Sequence, residues 1–365
     1  MKTRLKKRRN IIALFFAAIA ALSILCSSLF YLSTHHPKPI QDQPVACPDD
    51  APILKPGQKI KILSWNVQFM AGNKNNHFFF DGGNDGWPSK ETIHQTTSDV
   101  VRILRDENPD IIILQEVDDG AKRTHYQDQL ETLLKALPET PCHAQAFYWR
   151  AWFVPHPAIM GSVGMKLTIM SKYKISGARR HSLSPITTDN VVMRQFKPKR
   201  AVLEAMMPVE GGNKTLHVMN GHFSAFAQGS DTMERQTRQV WEILRDLEEK
   251  GEFGFVAGDF NLIPPGTHAR LPETAKQKFD PTVYEIAPMF DSYRAIPSYE
   301  EIHSTEYEKW LTHIETDKKT KLPDKTIDYI FFTKKIGIGS HYVRQKGTSP
   351  ISDHLPVAAI IAIPE

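Results

Sequence analysis

Residues 256–265 read VAGDFNLIPP, an apolar run followed by a glycine, an aspartate, an aromatic residue and an asparagine. The apolar run predicts a buried strand, and the two prolines predict where regular structure ends. Because Gly, Asp and Asn are common turn residues, this stretch alone is compatible with an ordinary turn. The rest of the sequence must decide whether Asp259 and Asn261 close a turn or serve a functional site at the tip of the strand.

The composition is that of a globular protein with one charged end. The chain has 365 residues, of which 41% are apolar, so one large α/β domain could occupy most of it. The formal net charge is +4, but six of the 45 basic residues lie within residues 1–10, which leaves 39 basic and 41 acidic residues elsewhere. A body without net positive charge argues against strong non-specific binding to nucleic acids.

An uncharged stretch at residues 11–32 follows the basic start. As a helix it would be about 33 Å long, enough to cross the apolar core of a bilayer. The stretch is long for a cleaved signal peptide, so a retained signal anchor is favoured. The basic tail would then stay in the cytoplasm, and the rest of the chain would lie in the periplasm or outside a bacterial cell. Leu25 disfavours lipidation of the Cys26 that follows it.

A proline-rich segment at residues 34–57 predicts a linker between helix and domain. Cys47 in this segment and Cys142 further on could pair in an oxidising compartment. Two free thiols are the alternative that the sequence leaves open, and we favour the bond. The expected organisation is a basic tail (1–10), a transmembrane anchor (11–33), the linker (34–57) and a catalytic domain (58–365).

From residue 59 onward, strand-like apolar runs alternate with segments that have helical spacing, which predicts an α/β layered fold. Polar side chains recur at the ends of the predicted strands. Because α/β proteins gather ligands at one edge of the sheet, these side chains are expected to lie together. They are Asn66, Glu116, Asn220, His222, Asp259, Asn261, Asp328, Asp353 and His354.

This set combines carboxylates, amides and two histidines. The sequence shows no nucleophile-elbow serine, catalytic-looking cysteine or phosphate-binding glycine loop. Carboxylate and amide oxygens suit a hard cation such as Mg²⁺, which polarises phosphoryl oxygens. An aspartate can activate water, and a histidine paired with a carboxylate can contact phosphate or act as an acid–base group. The set therefore predicts hydrolysis of a phosphoester by direct attack of water.

Six motifs, in order along the chain, resemble the endonuclease/exonuclease/phosphatase superfamily, which includes pancreatic-type deoxyribonuclease and the sphingomyelinases. They are WNV (65–67), LQEV (114–117), NGHF (220–223), GDFN (258–261), IDYIF (327–331) and SDHLPV (352–357). GDFN alone is a weak signal, but the ordered set is specific and covers about residues 59–364. The resemblance implies a four-layer α/β sandwich, with two mixed sheets face to face and helices outside, here preceded by the predicted transmembrane helix.

The resemblance also implies a metal site. Glu116 would be the principal ligand, with Asn66 beside it and Asp353 close to the metal. The ion would be Mg²⁺, with Mn²⁺ as a substitute. Where some nucleases of the family have a carboxylate two residues after the asparagine, this chain has Gln68, which makes a second tightly bound metal less expected.

Five further residues would carry the reaction by the same resemblance. His222 would contact the phosphate, although a glycine precedes it where the family usually has a threonine. Asp259 would orient or activate the attacking water, and Asn261 would help to hold the phosphate and the transition state. His354 would be the catalytic histidine, oriented by Asp328.

The sequence therefore favours a monomeric, membrane-anchored, Mg²⁺-dependent phosphodiesterase that acts on a lipid headgroup or another non-nucleic phosphoester. An exported nuclease acting on DNA or RNA is the first alternative. A non-catalytic binding module is the second, disfavoured because every central residue is present. Substrate choice is expected to reside in the loops at 71–90, 156–161 and 262–325, and the sequence does not reveal it.

Three other features have competing interpretations. Arg200 could contact phosphate or be a surface charge. The aromatic run FYWRAWF (147–153) could touch a base or a membrane, but more simply forms a core strand. His313, in the long insertion, is most simply a surface residue, although it could approach the site.

Overall fold

A computed structural model describes residues 2–72, 78–79, 83, 86–211, 214–225, 227, 229–314 and 322–365. The predicted substrate loops at 71–90 and 262–325 lie partly outside these residues. The helices are α1 (Lys2–Leu32), α2 (Lys90–Glu107), α3 (Gln129–Ala136), α4 (Val191–Phe196), α5 (Thr232–Glu249), α6 (Glu273–Lys276), α7 (Ala287–Ser292) and α8 (Tyr299–His303). The strands are β1 (Ile40–Gln43), β2 (Val45–Ala46), β3 (Lys59–Asn66), β4 (Ile111–Asp118), β5 (Cys142–Val154), β6 (Gly161–Ser171), β7 (Gly177–Ser182), β8 (Ala201–Pro208), β9 (Thr215–His222), β10 (Phe253–Asp259), β11 (Arg294–Ile296), β12 (Asp328–Phe332), β13 (Gly337–Val343) and β14 (Val357–Ala362).

The strands form two mixed sheets of seven strands each. The β4 sheet has the order β13-β14-β3-β4-β6-β5-β2, and the β10 sheet has the order β1-β7-β8-β9-β10-β12-β11. Strands β3 and β4 run parallel, as do β9 and β10, and the other neighbours are antiparallel. Each parallel pair brings two carboxyl ends to the same edge of its sheet.

The two sheets pack face to face around the main apolar core, and helices cover their outer faces. Both sheets contribute to this core, for example Ile113 from β4 and Phe255 from β10. Helix α5 packs Val240 and other apolar residues on the outer face of the β10 sheet. Helices α2 and α3 cover the β4 sheet, with Leu104 and other residues in a separate cluster. The predicted four-layer α/β sandwich is confirmed.

Helix α2 shows how local sequence sets the elements. Its N-cap Ser89 accepts a hydrogen bond from the backbone N–H of Thr92 at 3.1 Å. Its C-cap Asn108 has a left-handed φ of 45°, and Pro109 follows, so the helix cannot continue. The next residues form β4, which is a buried apolar run as expected for a central strand.

The N-terminal helix is long and apolar enough to cross a membrane over Lys6–Leu32, by length and composition. The segment after it differs from the predicted free spacer. Its strand β1 pairs with the edge strand β7, and β2 pairs with the edge strand β5. The reason is that each edge strand offers unpaired backbone groups, which even a short proline-flanked strand can satisfy. Residues 40–46 therefore belong to the sandwich.

A disulfide between Cys47 and Cys142 fixes this segment, as the sequence analysis favoured. Changing Cys142 to serine is expected to lower the free energy of unfolding by about 2–4 kcal/mol, because the bond closes a long loop in the unfolded chain. Urea denaturation of the detergent-solubilised full chain, followed by tryptophan fluorescence, measures this. Cys26→Ser is the matched control, since Cys26 is free and exposed. Equal stability of the two variants would contradict the prediction.

Candidate active site

The predicted site residues meet at one edge of the sandwich, where β3, β4, β9 and β10 end. The register aligns Asp259 at the end of β10 with His222 at the end of β9. On its other side, Asp259 faces Asp328 at the start of the antiparallel β12. Across the core, Asn66 at the end of β3 donates a hydrogen bond from its Nδ2 to Asp259 Oδ2 at 3.1 Å. The Asp259 carboxylate is thus in contact with side chains from both sheets.

The backbone at the tip of β10 explains why the strand ends in GDFN. Gly258 has a φ of 146°, and a Cβ there would lie 1.9 Å from the carbonyl oxygen of Gly221. Asn261 has a φ of 51°, in the left-handed region that asparagine tolerates better than most residues. Its backbone N–H donates to Asp259 Oδ1 at 2.9 Å, which holds the carboxylate in place. The stretch is therefore a turn that also aims Asp259.

Glu116 is positioned by an irregularity in β4. The pairing of β4 with β6 shifts register between Leu114 and Val117, and Glu116 has a φ of 60° at this point. Such bulges re-aim side chains beside functional sites, and a non-glycine residue in this region carries backbone strain. Glu116 Oε1 lies 3.3 Å from Asn66 Nδ2 and 3.8 Å from His222 Nε2.

His354 and Asp328 form a close buried pair. The Nδ1 atom of His354 lies 2.8 Å and 3.0 Å from the two carboxylate oxygens of Asp328, and its Nε2 lies 3.6 Å from Asp259 Oδ2. Burial lowers the pKa of His354, but the carboxylates of Asp328, Asp259 and Asp353 outweigh it and raise that pKa well above its usual value. These carboxylates favour the protonated imidazole, and Asp328 orients the ring.

The pKa of His222 is shifted in the opposite direction to that of His354. Burial, with help from the charges of Arg200 and His354, lowers its pKa well below the usual value. Its Nδ1 lies 3.1 Å from the hydroxyl of Tyr148, and its Nε2 lies 3.3 Å from Asp259 Oδ2. With its proton on Nε2, the neutral ring would present an N–H towards the Asp259 carboxylate and would accept from Tyr148 at Nδ1.

The Asp259 carboxyl is buried, and this burial raises its pKa to about 6 even though the neighbouring His354 cation acts in the opposite direction. A buried carboxyl with a shifted pKa at the meeting point of several polar groups is typical of a functional site. The arrangement can hold one polar ligand against an amide, a neutral imidazole and an imidazolium.

Asp353 and His354 lie on a loop that is fastened from two sides. Ser352 Oγ donates to the backbone oxygen of Asn66 at 2.7 Å and accepts from the N–H of His354 at 3.1 Å. The indole Nε1 of Trp65 donates to the backbone oxygen of His354 at 2.9 Å. The WN and SDH motifs are therefore parts of one connected unit.

The long insertion also reaches this loop, which the simplest interpretation of His313 did not anticipate. The rings of His313 and His354 are edge to face with centroids 4.6 Å apart. Backbone hydrogen bonds join Ile314 N–H to Asp353 O and Leu355 N–H to Thr312 O, both at 2.7 Å. The sequence analysis had left open that His313 could approach the site.

Two sequence interpretations change in the structure. Asn220 does not join the site, because its Nδ2 donates to the backbone oxygens of Leu114 and Thr168 inside the sandwich. Tyr148, which the sequence analysis placed in a core strand, is buried but also contacts His222. Arg200 lies over the Tyr148 ring at 5.3 Å, and its buried Nη1 has no hydrogen-bond partner among the described residues.

The donor set fits a hard divalent cation. Glu116, Asp259, Asp328 and Asp353 supply carboxylates, and carboxylate oxygens of Asp259 and Asp328 lie within 4.8 Å of each other. Asn66 presents its amide nitrogen to Glu116 and Asp259, while its Oδ1 accepts from the N–H of Gln68 at 3.0 Å. For Asn66 to be a metal ligand, its amide would have to rotate by half a turn.

A cleft of about 600 Å³ opens beside the site. Asn261 and His313 line it, together with Lys278, Phe279 and Asp231. Clefts of this size with a few convergent polar groups are the usual places for small ligands.

Comparisons with known proteins agree with the fold. A sequence model of the Endonuclease/Exonuclease/phosphatase family matches residues 63–354. No curated protein matches the chain. Three solved structures are similar. An endonuclease/exonuclease/phosphatase from Beutenbergia cavernae DSM 12333 has 18% identity and a TM-score of 0.58, with 84% of this chain and 72% of that chain covered. The human Nocturnin catalytic domain has 15% identity and a TM-score of 0.52, with 85% and 95% covered. A family protein from Leptotrichia buccalis C-1013-b has 15% identity and a TM-score of 0.53, with 83% and 99% covered.

Proposed function

Because the chain belongs to the Endonuclease/Exonuclease/phosphatase family, whose members are metal-dependent phosphoester hydrolases, we propose which metal it uses, where it acts and on which class of phosphoester. The protein is a membrane-anchored, Mg²⁺-dependent phosphodiesterase that works outside the cytoplasm on a lipid headgroup or another non-nucleic phosphoester. The observation that carries this proposal is the central Asp259 carboxylate, which lies within 3.1–3.6 Å of Asn66, His222 and His354.

In this proposal Asp259 accepts a proton from the attacking water. The water oxygen forms a new bond to phosphorus, the ester P–O bond breaks, and the leaving oxygen takes a proton from solvent. The His354 cation, held by Asp328, faces the negative phosphoryl oxygens, and the Nε2–H of His222 donates to them. The side chain of Asn261 completes the cradle, and the unpaired Nη1 of Arg200 is a further donor for the phosphate.

Glu116 and Asp353 would hold the metal ion, with Asn66 joining them after its amide rotates. When bound, Mg²⁺ supplies charge stabilisation for the phosphoryl group and the leaving oxygen. These ligand assignments rest on oxygen chemistry, on the 3.3 Å distance between Glu116 Oε1 and Asn66 Nδ2, and on the position of Asp353 next to His354 in the chain.

Chelation tests the proposal. Turnover of bis-p-nitrophenyl phosphate by the detergent-solubilised full chain is expected to fall by about two orders of magnitude or more in EDTA, because the charge stabilisation is lost. Excess Mg²⁺ should restore it, and Mn²⁺ should substitute. Undiminished turnover in the chelator would contradict the proposal.

A substrate panel separates lipid hydrolysis from nuclease action. Wild type is compared on sphingomyelin or phosphatidylcholine vesicles, inositol phosphates, supercoiled plasmid and RNA, with His354→Ala as the inactive reference. Headgroup release without plasmid nicking is the expected result, because the body of the protein lacks a net positive charge. Nicking that is lost in His354→Ala would favour the nuclease instead.

A further inference from the structure

The C-terminal end of α1 is attached to the catalytic domain. The backbone N–H of Trp152 donates to Ser33 O at 2.9 Å, and Thr34 forms a β-bridge with Ala151. The ring of Phe30 packs edge-on against Phe196 of α4 at 4.9 Å. The point where the chain leaves α1 is therefore fixed against the end of β5 and against α4.

This attachment lies on the same edge of the domain as the candidate active site. Tyr148, which contacts His222, precedes Ala151 by three residues on β5, so about 10 Å of strand separates them. The Trp149 indole also donates to the backbone oxygen of Phe196 at 2.6 Å, which joins α4 to β5. The exit of α1 and the catalytic groups are thus neighbours.

Five large apolar side chains project into solvent around this attachment. We call them the apolar rim: Trp152 and Phe153 at the end of β5, and Val191, Val192 and Met193 on α4. Their side chains are 45–73% exposed, and α4 has no buried residue. Exposed apolar side chains gathered on two adjoining elements mark an interaction surface.

The charge beside the rim is positive. Residues 189–200 contain Arg194, Lys197, Lys199 and Arg200 and one acidic residue, Asp189, which pairs with Lys197 at 2.5 Å. Apolar side chains next to basic ones are the combination that binds the interface of a bilayer, where the basic groups meet lipid phosphates. The cleft wall contacts the segment that leads into α4, because Asp231, which lines the cleft, accepts a hydrogen bond from Thr187 Oγ1 at 3.1 Å.

We propose that the apolar rim inserts into the bilayer that holds α1, so that the active site faces the membrane and takes phosphoester headgroups of membrane lipids. This inference rests on the proposed function for its substrate and on a retained α1 for its geometry. The bilayer is the expected occupant because the rim surrounds the residues at which the chain leaves the apolar helix.

Site-directed labelling tests the docking. The full chain with Cys26→Ser is placed in lipid nanodiscs and labelled with an environment-sensitive fluorophore at Val192→Cys or Trp152→Cys. The control label is at Lys334→Cys, an exposed position at the opposite end of β12. Blue-shifted emission and quenching by nitroxide lipids are expected at 192 and 152 and absent at 334. Equal aqueous emission at all three sites, or a purified chain whose mass shows that α1 was removed, would overturn the proposal.

Hydrolysis tests the link to substrate. The Val191→Asp/Val192→Asp variant is expected to lose about tenfold or more of its activity on vesicle lipids, because charged side chains oppose insertion, while hydrolysis of bis-p-nitrophenyl phosphate is unchanged. Ile53→Asp, an exposed apolar residue at the far end, is the matched control. Unchanged lipid hydrolysis in the rim variant would overturn the proposal that the apolar rim brings the active site to membrane lipids. Failure of wild type on every phosphoester, with the labels still quenched, would refute the proposed function alone.

Discussion

Changing Asp259 to asparagine is expected to lower kcat on bis-p-nitrophenyl phosphate by about three orders of magnitude, because the group that takes the proton from water is lost. The fold should survive, since asparagine has the same shape and its oxygen can still accept from the N–H of Asn261. Removing the buried charge also removes the burial cost that raises the pKa of this carboxyl. Steady-state kinetics in saturating Mg²⁺, together with thermal unfolding, measures both effects.

The matched control for this variant is Asp246→Asn. It makes the same chemical change on α5, where Asp246 is half exposed and pairs with Arg245. Its kcat should equal that of wild type. If Asp259→Asn kept a kcat within a few-fold of the control, the assignment of the general base would be wrong.

Changing Gly258 to alanine is expected to lower the free energy of unfolding by about 3–5 kcal/mol. This figure combines the strain of a disfavoured backbone conformation with the cost of a steric clash. The added Cβ would lie 1.9 Å from the carbonyl oxygen of Gly221 and 2.9 Å from its carbonyl carbon, so β9 and β10 would have to separate. Urea denaturation of the solubilised full chain gives the change in free energy. Activity should fall as well, because this separation displaces Asp259 from His222.

Gly221→Ala is the control in the neighbouring strand. A Cβ at Gly221 would meet its nearest atoms at 3.8 Å, which is ordinary contact, so only a small loss of stability is expected. If the two alanine variants had the same denaturation midpoint, the close approach of the strands at Gly258 would not be what requires glycine there.

The sequence was sufficient for the layered architecture, because each central strand is an apolar run and each ends in a polar residue. It was also sufficient to name the residues that meet at the site edge. The sequence did not show that His222 joins the site and Asn220 does not, since both side chains point to the same face of β9. Asn220 lies two residues deeper, where the opposite sheet offers backbone oxygens instead of solvent.

The contributions of Tyr148 and His313 depend on long-range packing, which local patterns do not encode. The alternation in β5 predicts that Tyr148 points inward, but not that it meets His222 from the other sheet. His313 approaches His354 because the end of the insertion pairs with the loop that carries His354. The strands β1 and β2 were missed because they are short and flanked by prolines, and only the edges they join show their role.

Those two strands also cover sheet edges that would otherwise be open to pairing with another molecule. β1 covers the outer side of β7 and β2 that of β5, so one segment caps one edge of each sheet. A soluble form cut after residue 47 would expose both edges to pairing with other molecules and would be prone to aggregate. A cut between α1 and Ile40 would leave both caps and the disulfide in place. Under the proposed membrane anchoring, the place at which the chain is cut would therefore decide whether the released protein keeps both edges covered.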